Sequence, residues 1–133
     1  MIMRLRTSSD TEMKLMELDR KIKLSSKAAI MRIAIACSLK QDSDPRIVNG
    51  QKESYDIRVQ GGMDYQRLTV FGQAEDIYRL LMVNHLGHEI TEDEFFPELT
   101  CAHIRRGMDY LYSEYRYIDD KDKFFSKLIN LSR

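Results

Sequence analysis

Two groups of side chains in this sequence are of types that could do chemistry, and in each the spacing argues against it. His85 and His88 stand three residues apart, a separation that suits two metal ligands on one helix face. Gly87 lies between them, and glycine commonly ends a helix. No third ligand follows at a convincing spacing, and a structural zinc site wants four. Glu92, Asp93 and Glu94 could resemble the acidic cluster of a nuclease. Such a metal site needs carboxylates converging on one point, whereas consecutive residues point apart. The run fits better as the start of a helix capped by Thr91, where the dipole favours negative charge. No G-x-x-x-x-G-K-S/T loop is present, and no nucleophile, base and acid stand at triad spacing. The expectation is a protein that is not an enzyme and carries no metal or other cofactor. Tyr110, Tyr112, Tyr115 and Tyr117 could stack nucleic-acid bases. They read better as the end of an amphipathic helix packed on a neighbour.

The cations remain, and their distribution is uneven. The 21 basic and 21 acidic residues cancel, which argues against a uniformly basic nucleic-acid binder. Residues 1–40 nevertheless carry a net +5, residues 41–100 a net −7 and residues 101–133 a net +2. A basic head could meet phosphate while the acidic middle faces solvent or a partner.

The elements that would position these groups are mostly helical. A length of 133 residues reads as one domain. No stretch reaches the roughly 20 apolar residues of a membrane span, and no apolar core follows the first charges as in a signal peptide. A cytoplasmic protein is expected. Cys37 and Cys101 lie far apart in apolar helical contexts and read as core residues of a reducing compartment rather than a disulfide. Residues 2–8 alternate, with Met3, Leu5 and Thr7 on one face and Arg4, Arg6 and Ser8 on the other, the period of a strand with one wet side. Ser9-Asp10-Thr11-Glu12 fits a capping box for a helix from about Asp10 to Ile22, with Leu15, Leu18 and Ile22 inward. After a short break, Ser25 would cap a second helix to about Leu39. Between Ala28 and Leu39 its only charge is Arg32. A helix apolar nearly all round needs burial on two sides, and in so small a domain the second side is expected to be another copy.

Residues 41–53 read as a loop with a turn at Asn49-Gly50. Tyr55, Ile57 and Val59 alternate, Gly61-Gly62 turns, and Gln66–Val70 can return as the second strand of a hairpin. A helix should follow from about Ala74 to Leu86, with Ile77, Leu80 and Leu81 inward and Gly87 as its stop. Another should run from about Pro97 to Tyr115, and a last one from Asp119 or Asp120 to about Leu131. The fold class is mainly α, with a ribbon-helix-helix-like unit over 1–40, a loop and hairpin over 41–72 and a helical part over 73–133.

A strand with outward basic residues, a capped helix, a tight break and a very apolar helix form the ribbon-helix-helix pattern. There, two copies pair their strands into a ribbon that enters the major groove. Arg4 and Arg6 would face bases or phosphates, or would simply be a solvated strand face. The start of the second helix, with Ser25, Ser26 and Lys27, would offer amides to a phosphate.

Arg4-Leu5-Arg6-Thr7-Ser8, Arg32–Leu39, Leu68-Thr69-Val70-Phe71-Gly72 and His103-Ile104-Arg105-Arg106-Gly107, in that order, resemble the DndE family. This is the small protein of the bacterial DNA sulfur-modification (phosphorothioation) system, and the similarity extends to about Leu111. In the turn between the first two helices, where the family often has a glycine, this sequence has Lys23. The resemblance implies a DNA-binding homo-oligomer, expected to be a tetramer. It also implies association with the other DNA sulfur-modification proteins, which supply the chemistry, and a preference for nicked duplex with surface lysines on the backbone. Carried onto the matching segment, it points to Lys14, Lys21, Lys23 and Lys27 beside Arg4 and Arg6. Each contact would add salt-dependent affinity without sequence information, against the plain alternative of a solvated helix face. Other readings are a ribbon-helix-helix transcriptional regulator, a DNA nickase and a protein–protein adaptor docking through the acidic middle.

Overall fold

The apolar stretch after Ala28 becomes the central helix of the molecule. A computed structural model describes residues 1–23, 26–115 and 128–130. It is mainly α-helical, as the periodicity predicts. In chain order the elements are β1 (Arg4–Arg6), α1 (Ser9–Ile22), α2 (Lys27–Leu39), β2 (Ile47–Val48), β3 (Gln51–Lys52), β4 (Asp64–Gln66), α3 (Arg67–Phe71), α4 (Glu75–Leu86) and α5 (Thr100–Tyr115). Ile30, Met31, Ala34 and Ile35 of α2 are at most 2% exposed. α5 packs most extensively on this helix and α1, α3 and α4 lie against it, while one strip stays open, with Ala29, Arg32 and Ile33 half-buried and Ala36 exposed. The close approach of α5 depends on Gly107, where any Cβ would collide with the backbone of Ala34.

α1 keeps Leu15, Leu18 and Ile22 inward, as its stripe predicts. Its cap is one residue earlier than expected. Ser8 has extended backbone and its Oγ accepts from Thr11 N at 3.1 Å. Glu12 does not turn back on the cap, because donors in the interior claim it. Its carboxylate is buried and accepts from Thr7 Oγ1 at 2.9 Å and from Tyr65 OH at 2.8 Å. The helix stops at Lys23, which adopts the left-handed conformation (φ 58°, ψ 47°) and donates its N–H to Asp19 O. That conformation is ordinarily the province of glycine, so a lysine here holds the turn at some backbone cost. Ser26 caps α2, accepting from Ala29 N at 3.2 Å. Ser25, the cap expected from sequence, lies outside the described residues.

The strand alternation in β1 holds in part, with Leu5 and Thr7 buried and Arg4 exposed, but Met3, expected on the inner face, is exposed, and Arg6 and Ser8 are half-buried. Its partner is β4 of the same chain, antiparallel, with Leu5 opposite Tyr65 and Arg6 opposite Asp64. On the other edge of β1 the Tyr55 hydroxyl accepts from Arg6 N at 2.6 Å and donates to Arg6 O at 3.2 Å. At Arg6, one phenol therefore satisfies both backbone groups that a second copy's strand would need.

The expected hairpin over 55–70 does not form. Ile57–Val59 is a single 3-10 turn, and the residues after Gln66 coil into α3. Val70 and Phe71 bury at that helical spacing, and the guanidinium of Arg67, 3% exposed, pairs with Glu75 and Glu92 under Phe95 and Phe96. These burials outweigh the weaker pull of an alternating pattern. A hairpin instead joins β2 to β3 across Asn49-Gly50, both at positive φ (53° and 79°), the backbone that a two-residue hairpin turn demands.

α4 ends at Gly87 (φ 82°) as expected, but its inward face differs from the expected one. Ile77, Leu80 and Leu81 are 61%, 65% and 44% exposed, while Met82 is buried and Tyr78, Val83 and Leu86 pack on the core. The aromatic cluster decides the rotation: Tyr78 lies 5.4 Å from Phe71, which stacks on Phe95. Thr91 and Glu94 form a reciprocal cap, Glu94 N to Thr91 Oγ1 at 3.1 Å and Thr91 N to Glu94 Oε1 at 3.3 Å. The turn Glu94–Leu99 then breaks at Phe96 (φ −137°, ψ 121°), burying Phe95, Phe96 and Leu99. α5 therefore begins at Thr100 rather than Pro97. The last helix expected over Asp119–Leu131 falls outside the described residues, apart from helical residues 128–130.

Candidate nucleic-acid interface

The six cations singled out from sequence fall into separate groups. Arg4 and Arg6 project from the outer face of β1 and share one carboxylate. Asp64 stands 3.4 Å from Arg4 and 2.6 Å from Arg6. The Arg6 hydrogen bond, with the charges of Arg6 and Arg4, holds the Asp64 carboxyl below its ordinary range.

Lys14 and Lys21 lie on the face of α1 that meets α5. Lys14 Nζ sits 2.8 Å from both Asp10 and Asp109. Burial works against its charge, but the two carboxylates prevail and raise its pKa. Lys21 contacts Glu17 at 3.5 Å with its side chain 45% exposed. Their ammonium groups rest over the rings of Tyr112 and Tyr115, at 5.7 and 5.6 Å. Those tyrosines therefore serve packing, as the amphipathic pattern predicts. Tyr112 OH also donates to Glu17 at 2.9 Å, the largest cause of that carboxylate's lowered pKa. Tyr117 lies outside the described residues. Lys27 is half-turned inward, 3.2 Å from buried Glu12.

Lys23 stands apart from these. It is exposed and makes no ion pair among the described residues, and Arg20, one helical turn before it, is the same. Sequence reasoning misses Arg20. The signal was available in Arg20-Lys21-x-Lys23, a basic last turn that also complements the helix dipole. Arg20, Lys21, Lys23 and Lys27 thus flank the α1–α2 connection, and among the described residues the first and third make no ion pair.

The other candidates have structural partners. His85 Nε2 faces Gln41 O at 2.5 Å and His88 Nδ1 faces Glu89 O at 2.9 Å, so the two rings serve different segments. Among the described residues no three His, Cys, Asp or Glu side chains gather for a metal. Glu92 bonds Arg79 at 2.6 Å, and Glu94 bonds Arg46 at 3.2 Å. The acidic run therefore diverges onto arginines. His103 is fully buried, with Nδ1 2.8 Å from Ser38 Oγ. Burial, then the nearby Arg106 and His85, push its pKa down to about 3, so it is neutral. Arg106 Nε donates to the same Ser38 hydroxyl at 2.8 Å and its NH2 to Ser38 O at 2.7 Å. The His103–Gly107 motif therefore locks α5 onto α2. Cys37 and Cys101 are free thiols, pushed up by burial to about 11 and about 12, which makes them poor nucleophiles.

The model of the family described as DNA sulphur modification protein DndE matches residues 4–118 of the chain. The match spans the ribbon pair, the α1–α2 turn and the α2–α5 seam. No match was found among curated proteins.

Proposed function

Since the chain belongs to the DndE family and so has a role in DNA sulphur modification, we propose that it acts there as a non-catalytic DNA-binding subunit. In this reading a homo-oligomer, a tetramer by family expectation, holds duplex in the cytoplasm while partner sulfur-modification proteins do the chemistry. The observation that carries it is the α1–α2 turn, where Arg20 and Lys23 are exposed and unpaired among the described residues beside Lys21 and Lys27. Phosphates would be met first by Lys23, with Arg20 added. Lys21, Lys27, Lys14, Arg4 and Arg6, each already beside a carboxylate, would join by exchanging it for a phosphate. Contacts of this kind bind backbone and carry no sequence information.

A ribbon-helix-helix regulator would instead pair β1 with β1 of a second copy. Pairing of β1 with β4, and the Tyr55 hydroxyl on its other edge, favour a backbone grip over base readout.

The test is a fluorescence-anisotropy titration of intact and singly nicked duplexes of one sequence, with the native chain and a Lys21→Gln/Lys23→Gln variant. Tight binding with little sequence preference, weakened about tenfold in the variant, is expected. A nicked-duplex preference appears as a ratio of the two affinities. Unchanged affinity in the variant overturns the assignment to this turn. Discrimination between sequences reaching about a thousandfold would point to a regulator.

A further inference from the structure

The outer edge of β1 is closed at one residue and open at another. Arg67 N donates to Met3 O at 2.8 Å and Thr7 N to Met63 O at 3.1 Å, so Met3, Leu5 and Thr7 turn their backbone groups towards β4. Those of Arg4 and Arg6 point the other way. At Arg6 the Tyr55 hydroxyl takes both. At Arg4 neither the N–H nor the carbonyl has a partner among the described residues. Arg4 and Tyr55 line a cleft of about 330 Å³, with Ile2, Ile57, Pro97 and the carboxylates of Asp93 and Glu98. Tyr55 and Glu98 also line a pocket of about 80 Å³, so the two cavities adjoin at the phenol. Arg105, which lines the second, keeps its Nε–H buried without an acceptor. The rim of the cleft is negative. Asp93 is exposed and makes no ion pair among the described residues. Glu98 shares the single guanidinium of Arg46 with Asp44 and Glu94, so three carboxylates stand against one cation. Arg4 is itself paired with Asp64.

We infer that this cleft receives an extended basic segment of a partner protein, which pairs its backbone with Arg4 and sets a lysine or arginine side chain against Asp93 and Glu98. An open strand edge offers hydrogen bonds to any extended chain, and strand addition is a recurring way of binding peptides. Tyr55 limits the ladder to the one residue pair at Arg4, so selectivity falls to the side chain. A long cationic side chain suits both parts of the cleft: its aliphatic stem covers Ile2, Ile57 and Pro97 while its head meets the carboxylates. Beyond the phenol, the Arg105 Nε–H takes a carbonyl of the same segment, which satisfies a buried donor otherwise left unpaired. Nucleic acid is the wrong occupant here, because the excess charge on the rim has the sign of phosphate. The cleft therefore stands apart from the duplex grip of the α1–α2 turn, and either can fail without the other.

Amide chemical-shift titration of the isotope-labelled full chain tests this. The probe is a short acetylated, amidated peptide of alternating valine and lysine, and the control is the same peptide with glutamate for lysine. The lysine peptide is expected to saturate, to shift the Arg4 amide and to bind at least about tenfold tighter than the control. Asp93→Lys should reverse that preference. Arg4→Pro removes the outward N–H and leaves the bonds from β1 to β4 in place. It should weaken binding about tenfold, whereas Arg4→Ala, which keeps the N–H, should not. Circular dichroism confirms that each variant folds. A lysine peptide that fails to saturate at millimolar concentration, binds no better than the glutamate peptide, or leaves the Arg4 amide unmoved overturns the inference. So does equal binding by Arg4→Pro and Arg4→Ala, since the strand edge would then take no part.

Discussion

α2 and α4 are nearly equal in length, 13 and 12 residues, and both are rich in aliphatic side chains, but the fold treats them oppositely. α2 buries most of its aliphatic side chains within its own chain, leaving a strip of Ala29, Arg32, Ile33 and Ala36 partly open. α4 buries Met82 and the Tyr78 side and leaves Ile77, Leu80 and Leu81 in the open. Apolarity states that a surface needs cover; it does not state whose surface supplies it. The difference lies in small polar details. Gly107 lets α5 approach α2 closely, and Ser38, His103 and Arg106 pin the two together. No equivalent partner lies outside α4 among the described residues.

The contrast can be pressed hardest at the seam. Gly107→Val puts a branched side chain into the Ala34 backbone and should cost about 3 kcal/mol of folding stability in urea denaturation. A loss under about 1 kcal/mol would mean that α5 does not seal α2. A pH titration of stability sharpens the same point. His103 is held neutral in the fold with its pKa depressed to about 3, while in the unfolded chain it binds a proton near pH 6.5. Below that value the unfolded state takes up a proton that the folded state refuses, so stability falls as pH falls. The loss between pH 6 and 5 should be about 1 kcal/mol, and shallower in His103→Gln. An unaltered slope in the variant would place the buried proton elsewhere.

The strand edge offers a smaller break. Tyr55→Phe strips the bonds from Arg6 N and O and should cost about 1 kcal/mol by thermal melting. No change in Tm would show that the phenol does not seal that edge. Lys23→Gly relieves the left-handed backbone and should gain about 0.5 kcal/mol, even as it removes a proposed phosphate ligand. A loss of stability there would contradict the turn geometry. Least of all, Leu80→Glu should move stability by no more than about 0.5 kcal/mol. A cost near that of Gly107→Val would mean that α4 is core after all.

Much of this was legible in the sequence. The positions of α1, α2 and α4 followed from periodicity and stop signals, and Thr91, Gly87 and the buried stripe of α1 behave as their patterns imply. Three things were hidden, each for a physical reason. The cap of α1 moved to Ser8 because Glu12 was claimed by Thr7 and Tyr65, residues whose proximity only the fold creates. The rotation of α4 was set by Phe71, which stacks on Phe95 from beyond the helix and captures Tyr78, a contact that the periodicity of α4 alone does not encode. The charge segregation that drew attention to the first forty residues was real. The ion pairs of Arg4, Arg6, Lys14 and Lys27 join residues up to 95 positions apart, so sequence could not tell paired cations from free ones.

The central claim, that free cations at the α1–α2 turn grip phosphate, is tested most directly by salt. Duplex affinity measured from low to moderate salt should fall log-linearly for the native chain. The slope for Arg20→Gln/Lys23→Gln should be shallower by ~1.8, about 0.9 for each phosphate no longer neutralised. Equal slopes for the two chains would show that neither residue touches the DNA backbone.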